Sequence, residues 1–441
     1  MYTVAFISLG CAKNLVNTEQ MMALVREAGL TLTDDAPHAQ VVVINTCGFI
    51  DSAKEEAIDT ILEAARWKET GDVQKILVTG CLSQRYKDQI IDELPEVDGI
   101  LGTGSYAEIV SAIEQAMSGG VPRCFGSIHA PVEELPRLRS TPPYYAYLRI
   151  AEGCDNHCAY CVIPSLRGRY RSRTMENVLD EARTLAADGV RELIVIAQDI
   201  TRYGIDLYGE RRLGALLREL CKMDFKWVRL HYLYPDQITD DLIDVIASEE
   251  KILKYLDIPV QHCNDAVLRA MNRRGDKAYL TALFEKLRAR IPGLVLRTSI
   301  ITGLPFETEE VFDELCDFLR EVRIERAGVF PYSPEEGTSA AKMENRVGHE
   351  EAVRRAELLV DVQSRVMDDY NESLMGEERE VLCEGFDAQA MNYAGRSYAE
   401  SPDIDGRIYF SAQRDIMKGE FVRVRITGVM DGELTGEMVE E

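Results

Sequence analysis

The sequence has no apolar run near the ~20 residues that a bilayer-spanning helix requires, which argues against a membrane protein. Its start, MYTVAFISLGCAKN, lacks a cationic stretch and a small-residue cleavage site, so no secretory signal is expected. It is poor in positive charge: 50 Lys and Arg face 75 Asp and Glu, a net charge of −25. Such a surface disfavours a nucleic-acid duplex or an anionic membrane and suits a basic protein partner. There is no internal repeat and no low-complexity tract. An even set of cysteines is also missing. Eleven is an odd number for a disulfide framework and a large one for a cytoplasmic chain, which is the expected location. In a reducing compartment, thiols at special positions point to metal ligation or nucleophilic chemistry.

The 441 residues, 46% hydrophobic and 28% charged, fit two to four globular domains. Over residues 1–119, the runs TVAFISL, VVVINT and KILVTG each precede an amphipathic segment, the pattern of a doubly wound parallel sheet. Residues 120–143 are rich in Gly and Pro and read as a linker. Residues 144–373 carry six further strand candidates (YAYLRIA, ELIVIAQ, WVRLHYL, KYLDIPV, VLRTSII and AGVFPYS) with helical patterns between them. That series predicts a whole or partial (β/α) barrel with its active face at the carboxyl ends of the strands. A long helix is expected from His349 to about Ser373. Residues 374–441 then turn all-β, consistent with a small OB-like barrel.

Two cysteine trios carry the chemistry. Cys154, Cys158 and Cys161 form C-x3-C-x2-C directly after the first barrel strand. Three thiolates so spaced can hold three irons of a [4Fe–4S] cluster and leave the fourth open for reaction. A zinc site or incidental thiols are the bland alternatives. Cys11, Cys47 and Cys81 are far apart in sequence, yet each sits just past a predicted parallel strand. Loops at the carboxyl ends of neighbouring parallel strands share one crevice, so these thiols could meet in space. The alternative is three buried apolar cysteines.

This combination resembles the radical SAM methylthiotransferases, which join a three-Cys domain, a C-x3-C-x2-C barrel and a C-terminal TRAM domain in this order. The resemblance covers nearly the whole chain. Ala197-Gln198-Asp199-Ile200-Thr201-Arg202-Tyr203-Gly204-Ile205-Asp206-Leu207-Tyr208, Asp257-Ile258-Pro259-Val260-Gln261-His262 and Tyr332-Ser333-Pro334-Glu335-Glu336-Gly337-Thr338 bring it closest to the ribosomal-protein branch. That branch methylthiolates an aspartate of small-subunit ribosomal protein twelve. The rival branch modifies an adenosine in transfer RNA and typically has Gln-Asn in place of Gln198-Asp199. By this resemblance, Cys154, Cys158 and Cys161 bind the cluster that takes S-adenosylmethionine, and Cys11, Cys47 and Cys81 bind an auxiliary [4Fe–4S] cluster that holds the incoming sulfur. One S-adenosylmethionine methylates that sulfur; another yields a 5′-deoxyadenosyl radical that removes hydrogen from the substrate carbon. The sulfur donor and the electron donor are left unidentified.

Weaker features carry paired readings. Tyr160 is where such enzymes place an aromatic near the adenine, or it packs a loop. Gln198, Asp199, Gln261 and Arg297 could reach the cofactor from strand ends or serve as structural partners; Asp199 could also cap the next helix. Phe306 stands where the family usually has glycine. Cys263 is taken as a bystander, and Cys124, Cys221, Cys316 and Cys383 as structural. Gly102-x-Gly104-x-x-Ala107 reads as an ordinary turn, lacking the context of a dinucleotide site. The run Arg167, Arg169, Arg171 and Arg173 could bind a carboxylate or be ion-paired. Residues 374–441 carry seven basic and fifteen acidic side chains, a net charge of −8, which disfavours RNA and suits a cationic protein.

Overall fold

The computed structural model describes residues 2–439. Strands β1 (Thr3–Ser8), β2 (Thr31–Leu32), β3 (Val41–Thr46), β4 (Lys75–Gly80), β5 (Gly99–Leu101) and β6 (Arg123–Cys124) form a wholly parallel sheet in the order β2-β1-β3-β4-β5-β6. Every residue of β3 is buried, as expected for a strand covered on both faces. Helix α1 (Ala12–Glu27) and the helix Ile109–Met117 cover one face through Met21, Val25, Ile109 and Ile113; α2 (Asp51–Thr70) covers the other through Ala57, Ile61 and Ala64. The doubly wound expectation holds. The stretch expected as a linker supplies β6, the edge of this sheet.

The central region holds a second parallel sheet: β7 (Tyr145–Arg149), β10 (Glu192–Ile196), β11 (Trp227–Leu230), β12 (Ile252–Asp257), β13 (Val295–Thr302) and β14 (Arg326–Pro331), neighbours in chain order. A small ribbon of β8 (Ala151–Glu152) and β9 (Arg171–Ser172) stands at its mouth. The sheet stays open, a partial barrel. Its outer face packs Ala146, Leu148, Leu193, Val195, Val228 and Leu256 against the helices, in the period-2 alternation of strands. The long helix runs over His349–Ser373.

The C-terminal strands β15 (Glu378–Asp387), β16 (Asn392–Arg396), β17 (Ile408–Ser411), β18 (Phe421–Met430) and β19 (Glu433–Met438) close into a barrel. Its β16–β17 segment enters the open sheet, reaching from Glu192 at the start of β10 to His231 just past β11. There the fully buried Glu192 takes Arg229 at 2.6 Å and Arg396 at 2.8 Å, Ser401 meets His231 at 2.9 Å, and Tyr255 donates to Asp405 at 2.6 Å. Charges so deeply buried persist only when paired. One end of the partial barrel is thus filled by the small barrel, and the carboxyl ends of its strands are left to face the N-terminal domain.

Candidate active site

The N-terminal trio is assembled by sheet order. β1, β3 and β4 are adjacent, so Cys11 at the N-cap of α1, Cys47 just past β3 and Cys81 opening α3 (Cys81–Tyr86) share one edge. Glycines permit the close approach. Gly10 has φ +86°, and a Cβ there would lie 2.8 Å from the Cys47 Cβ; Gly80 has φ +95°, and a Cβ there would lie 2.4 Å from Asn45 Oδ1. Asn14 Nδ2 ties the loops by donating to Leu9 O and Thr46 O, both at 3.0 Å.

Cations gather at these thiols. Arg167, from the central region, donates to Cys81 Sγ at 3.5 Å, to Asn17 Oδ1 at 2.9 Å and to Glu152 Oε2 at 3.1 Å, and also bonds Asn14 Oδ1. Burial opposes ionisation of Cys11, but Lys13 and Arg167 outweigh it and hold that thiol below its ordinary value. Burial pushes the Cys47 thiol up to about 12, reinforced by Cys81, and raises Cys81 despite Arg167.

The second trio lies on one loop after β8. Gly153, at φ +81°, lets it pass the β9 side: a Cβ there would meet Arg169 O at 2.1 Å. His157 also takes a left-handed conformation, φ 50°. The loop is fastened by Cys154 N–H to Gly168 O (3.2 Å) and Ala159 N–H to Met271 O (2.9 Å). Tyr234 Oη stands 3.6 Å from Cys158 Sγ, with the Arg273 guanidinium stacked over the Tyr234 ring at 4.2 Å. Burial raises the Cys154 thiol to about 11 and pushes Cys161 up as well.

Among the described residues, no three His, Cys, Asp or Glu side chains converge closely enough for a single metal ion. A [4Fe–4S] cluster takes one thiolate per iron, and each trio can supply three, leaving one iron open. The donor sets fit it too: three sulfurs each, with a buried guanidinium beside them to balance thiolate charge. Near the second trio, Gln198 Oε1 and Arg171 Nε and Nη1 are buried without hydrogen-bond partners, as groups awaiting a polar ligand would be.

The weaker candidates separate clearly. Tyr160 packs with Val267, Met271, Leu304 and Tyr332 beside the loop. Gln198 donates to Glu152 Oε1 at 2.7 Å. Asp199 is fully buried, caps the one-turn helix Ile200–Arg202 through Thr201 N–H and takes Asn156 Nδ2 of the cluster loop at 2.9 Å, a clamp on that loop. Arg297 lies early in β13 and pairs with Asp257 (2.9 Å) and Asp405 (3.7 Å), the structural reading. Gln261 holds φ 71° at the mouth and pairs its backbone with β13. Of the arginine run, Arg173 is bound by Glu134 and Glu181, Arg169 is exposed, and Arg167 joins the two regions. Phe306 adopts φ 72°, which gives the physical reason for glycine at that turn. Cys263 is buried and directs its thiol at Glu314 O. The turn at Gly102 and Gly104 packs against Gln84 and Gly126.

Sequence reasoning missed four side chains. Glu152 gathers Arg149, Arg167 and Gln198, and Glu335 latches the domains by taking Lys54 (3.0 Å) and Arg85 (2.6 Å). Lys13 and Tyr232 face each other across the domain boundary. A lysine two residues after Cys11, on a helix face that turns out to be buried, was the available signal.

Family models match in three blocks: uncharacterized protein family UPF0004 over residues 3–102, the radical SAM superfamily over 148–319 and the TRAM domain over 375–439. Ribosomal protein uS12 methylthiotransferase RimO of Lachnoclostridium phytofermentans is 46% identical, spanning 98% of this chain and 99% of its own. The protein of the same name from Pelotomaculum thermopropionicum is 48% identical over 99% of each. The chain belongs to the RimO family of radical SAM methylthiotransferases. Membership of the radical SAM superfamily implies S-adenosylmethionine and a [4Fe–4S] cluster. Among solved structures, the radical S-adenosylmethionine methyltransferase TsrM of Kitasatospora setae aligns with TM-score 0.57 at 14% identity over 77% of each chain, a likeness of fold alone. No helix among the described residues is long and apolar enough to cross a membrane.

Proposed function

We propose that this RimO-family chain methylthiolates the β-carbon of an aspartate in ribosomal protein uS12, small-subunit protein twelve, in the cytoplasm. What carries the reading is the Arg167 bridge from Cys81 of the N-terminal trio to Glu152, two residues before Cys154 of the loop trio, in a chain alike over its full length to RimO proteins. In this reading Cys154, Cys158 and Cys161 hold the [4Fe–4S] cluster that takes S-adenosylmethionine, with Tyr160 beside the adenine; Cys11, Cys47 and Cys81 hold the auxiliary cluster. The chemistry those groups supply when bound is reductive radical generation at one trio and the sulfur for transfer at the other.

The chain's own residues do the rest. Glu152, held ionised by Arg149 and Arg167, fixes Gln198 with its Oε1 free to accept from a ligand amine. Arg171 keeps two donor nitrogens free for a carboxylate. Cys81 is buried and the other five trio thiols are half-buried, which limits the access of water to reactive species. The C-terminal barrel, acidic overall, supports a cationic protein partner over RNA.

The test is mass spectrometry of ribosomal proteins and digested transfer RNA from a strain lacking the gene. Loss of a methylthio mass from uS12 is expected. Loss from transfer RNA alone would assign the chain to the adenosine branch.

A further inference from the structure

Lys13 is buried, 8% exposed, at the start of α1, two residues beyond Cys11. A buried ammonium group ordinarily has a carboxylate partner. Lys13 has none within ion-pair distance among the described residues. Its Nζ instead sits 3.6 Å from the centre of the Tyr232 ring, a residue of the barrel mouth. Arg167 adds a second positive charge nearby.

Tyr232 lies two residues past the carboxyl end of β11, where a barrel builds its reactive face. Its φ is 65°, a conformation that bulky side chains rarely adopt. Three contacts sustain that strain: Tyr232 N–H donates to Asp257 Oδ2 at 3.2 Å, Tyr232 O accepts from Ile200 N–H at 3.1 Å, and Arg297 pins Asp257 at 2.9 Å. Strain upheld by its surroundings clusters at ligand sites. Here it turns an aromatic face onto the ammonium group at the boundary between the Cys11 domain and the barrel.

We propose that Lys13 holds the carboxylate of the acidic side chain that is modified, with the Tyr232 ring as the wall that orients the ammonium group. This rests on the methylthiotransferase reading above and deepens it: the enzyme would choose aspartate over asparagine through this one cation. Arg167 is already engaged by Glu152, Asn17 and Cys81, whereas Lys13, beside Cys11 and Tyr232, has no carboxylate partner among the described residues.

The test is equilibrium binding of purified uS12, and of a uS12 variant with the modified aspartate changed to asparagine, to anaerobically reconstituted full-length enzyme. Wild type, Lys13→Met and Lys13→Arg are compared, with iron content and visible absorption measured on each. Wild type should bind the aspartate form about ten- to hundredfold more tightly, as a charge-assisted contact predicts. Lys13→Met should bind both forms alike with its iron intact, and Lys13→Arg should recover part of the preference. A Lys13→Met enzyme that keeps the full preference overturns the proposal. So does one that loses iron while keeping the preference, since Lys13 would then serve the thiolates. A wild type that methylthiolates uS12 yet binds both forms equally overturns only the Lys13 assignment; a wild type that never modifies uS12 removes the functional reading and this inference with it.

Discussion

The two thiol trios reach similar donor sets by opposite routes. Cys154, Cys158 and Cys161 share one loop, whose path is fixed by Gly153 and by bonds to Gly168 and Met271. Cys11, Cys47 and Cys81 come from three strands that are neighbours only because the sheet runs β1-β3-β4. Their electrostatics differ as well. Burial is the largest influence on Cys154 and Cys161 and raises both, whereas Lys13 and Arg167 reverse it at Cys11. A loop trio is a local property, while a strand-end trio depends on the whole sheet and on a guanidinium lent by another domain. The second should therefore be the easier to perturb from a distance.

The largest effect separates the trios outright. Two [4Fe–4S] clusters mean about eight irons in reconstituted protein. Changing Cys154, Cys158 and Cys161 to Ala should remove about half of that iron and abolish reductive cleavage of S-adenosylmethionine. Changing Cys11, Cys47 and Cys81 to Ala should also remove half, leave cleavage measurable and eliminate methylthio transfer. Full iron in the second triple variant would disprove the auxiliary assignment.

Arg167→Met tests the distant dependence. It leaves Glu152 with Arg149 alone and strips Cys81 of its donor. Breaking a buried ion pair from one side costs about 3–5 kcal/mol, so the urea midpoint should fall clearly. Iron should drop at the N-terminal trio and persist at the loop trio. Equal loss at both would mean that the two sites are not electrostatically distinct.

The same contrast explains what the sequence disclosed. C-x3-C-x2-C is legible because its ligands and their loop are contiguous. The strand-end trio was legible because each cysteine follows a β-branched run, and because parallel strands bring such ends to one edge. Lys13 and Glu335 were not, since each acts on groups from another domain; Arg167 stood out only as one of a run of arginines that could be ion-paired, and it does pair with Glu152. The path of residues 397–407 was not legible, because their insertion into the barrel depends on Arg229, Glu192 and Tyr255, which a strand pattern presents only as interruptions. Phe306 is a case the backbone alone explains: its φ of 72° accounts for the glycine usual at that turn.

Glu152 gives a smaller, pH-dependent handle. Burial alone would raise its pKa, but Arg167 and Arg149 overcome that and hold it at about 2, against an ordinary 4.5. A depressed carboxyl contributes stability that is present above about pH 4.5 and is lost as the pH falls towards about 2. The shift corresponds to about 3 kcal/mol. Urea midpoints of the metal-free protein at pH 7, 5, 4 and 3 should decline steeply for wild type. Glu152→Gln should start lower and decline less. Parallel curves would remove the arginine cage from the account of this site.

The smallest effect concerns the acidic C-terminal barrel, far from both trios. Exposed charge steers a cationic partner by raising the association rate, and physiological salt screens it over ~8 Å. Glu433 is a poor choice for substitution, because its carboxylate accepts the Arg407 N–H and braces the β17 entry. Glu437 is exposed, and Glu440 and Glu441 lie outside the described residues. Changing these three to Gln should slow association of full-length enzyme with uS12 by about two- to fivefold at low salt, the scale expected of rim charges. The gap should close as salt rises, because the dissociation rate is left alone. Stopped-flow association at two salt concentrations measures both arms. If the variant and wild type associate equally fast at low salt, these acids serve only solubility, which is the common role of an acidic surface. The steering charge must then lie elsewhere on the chain.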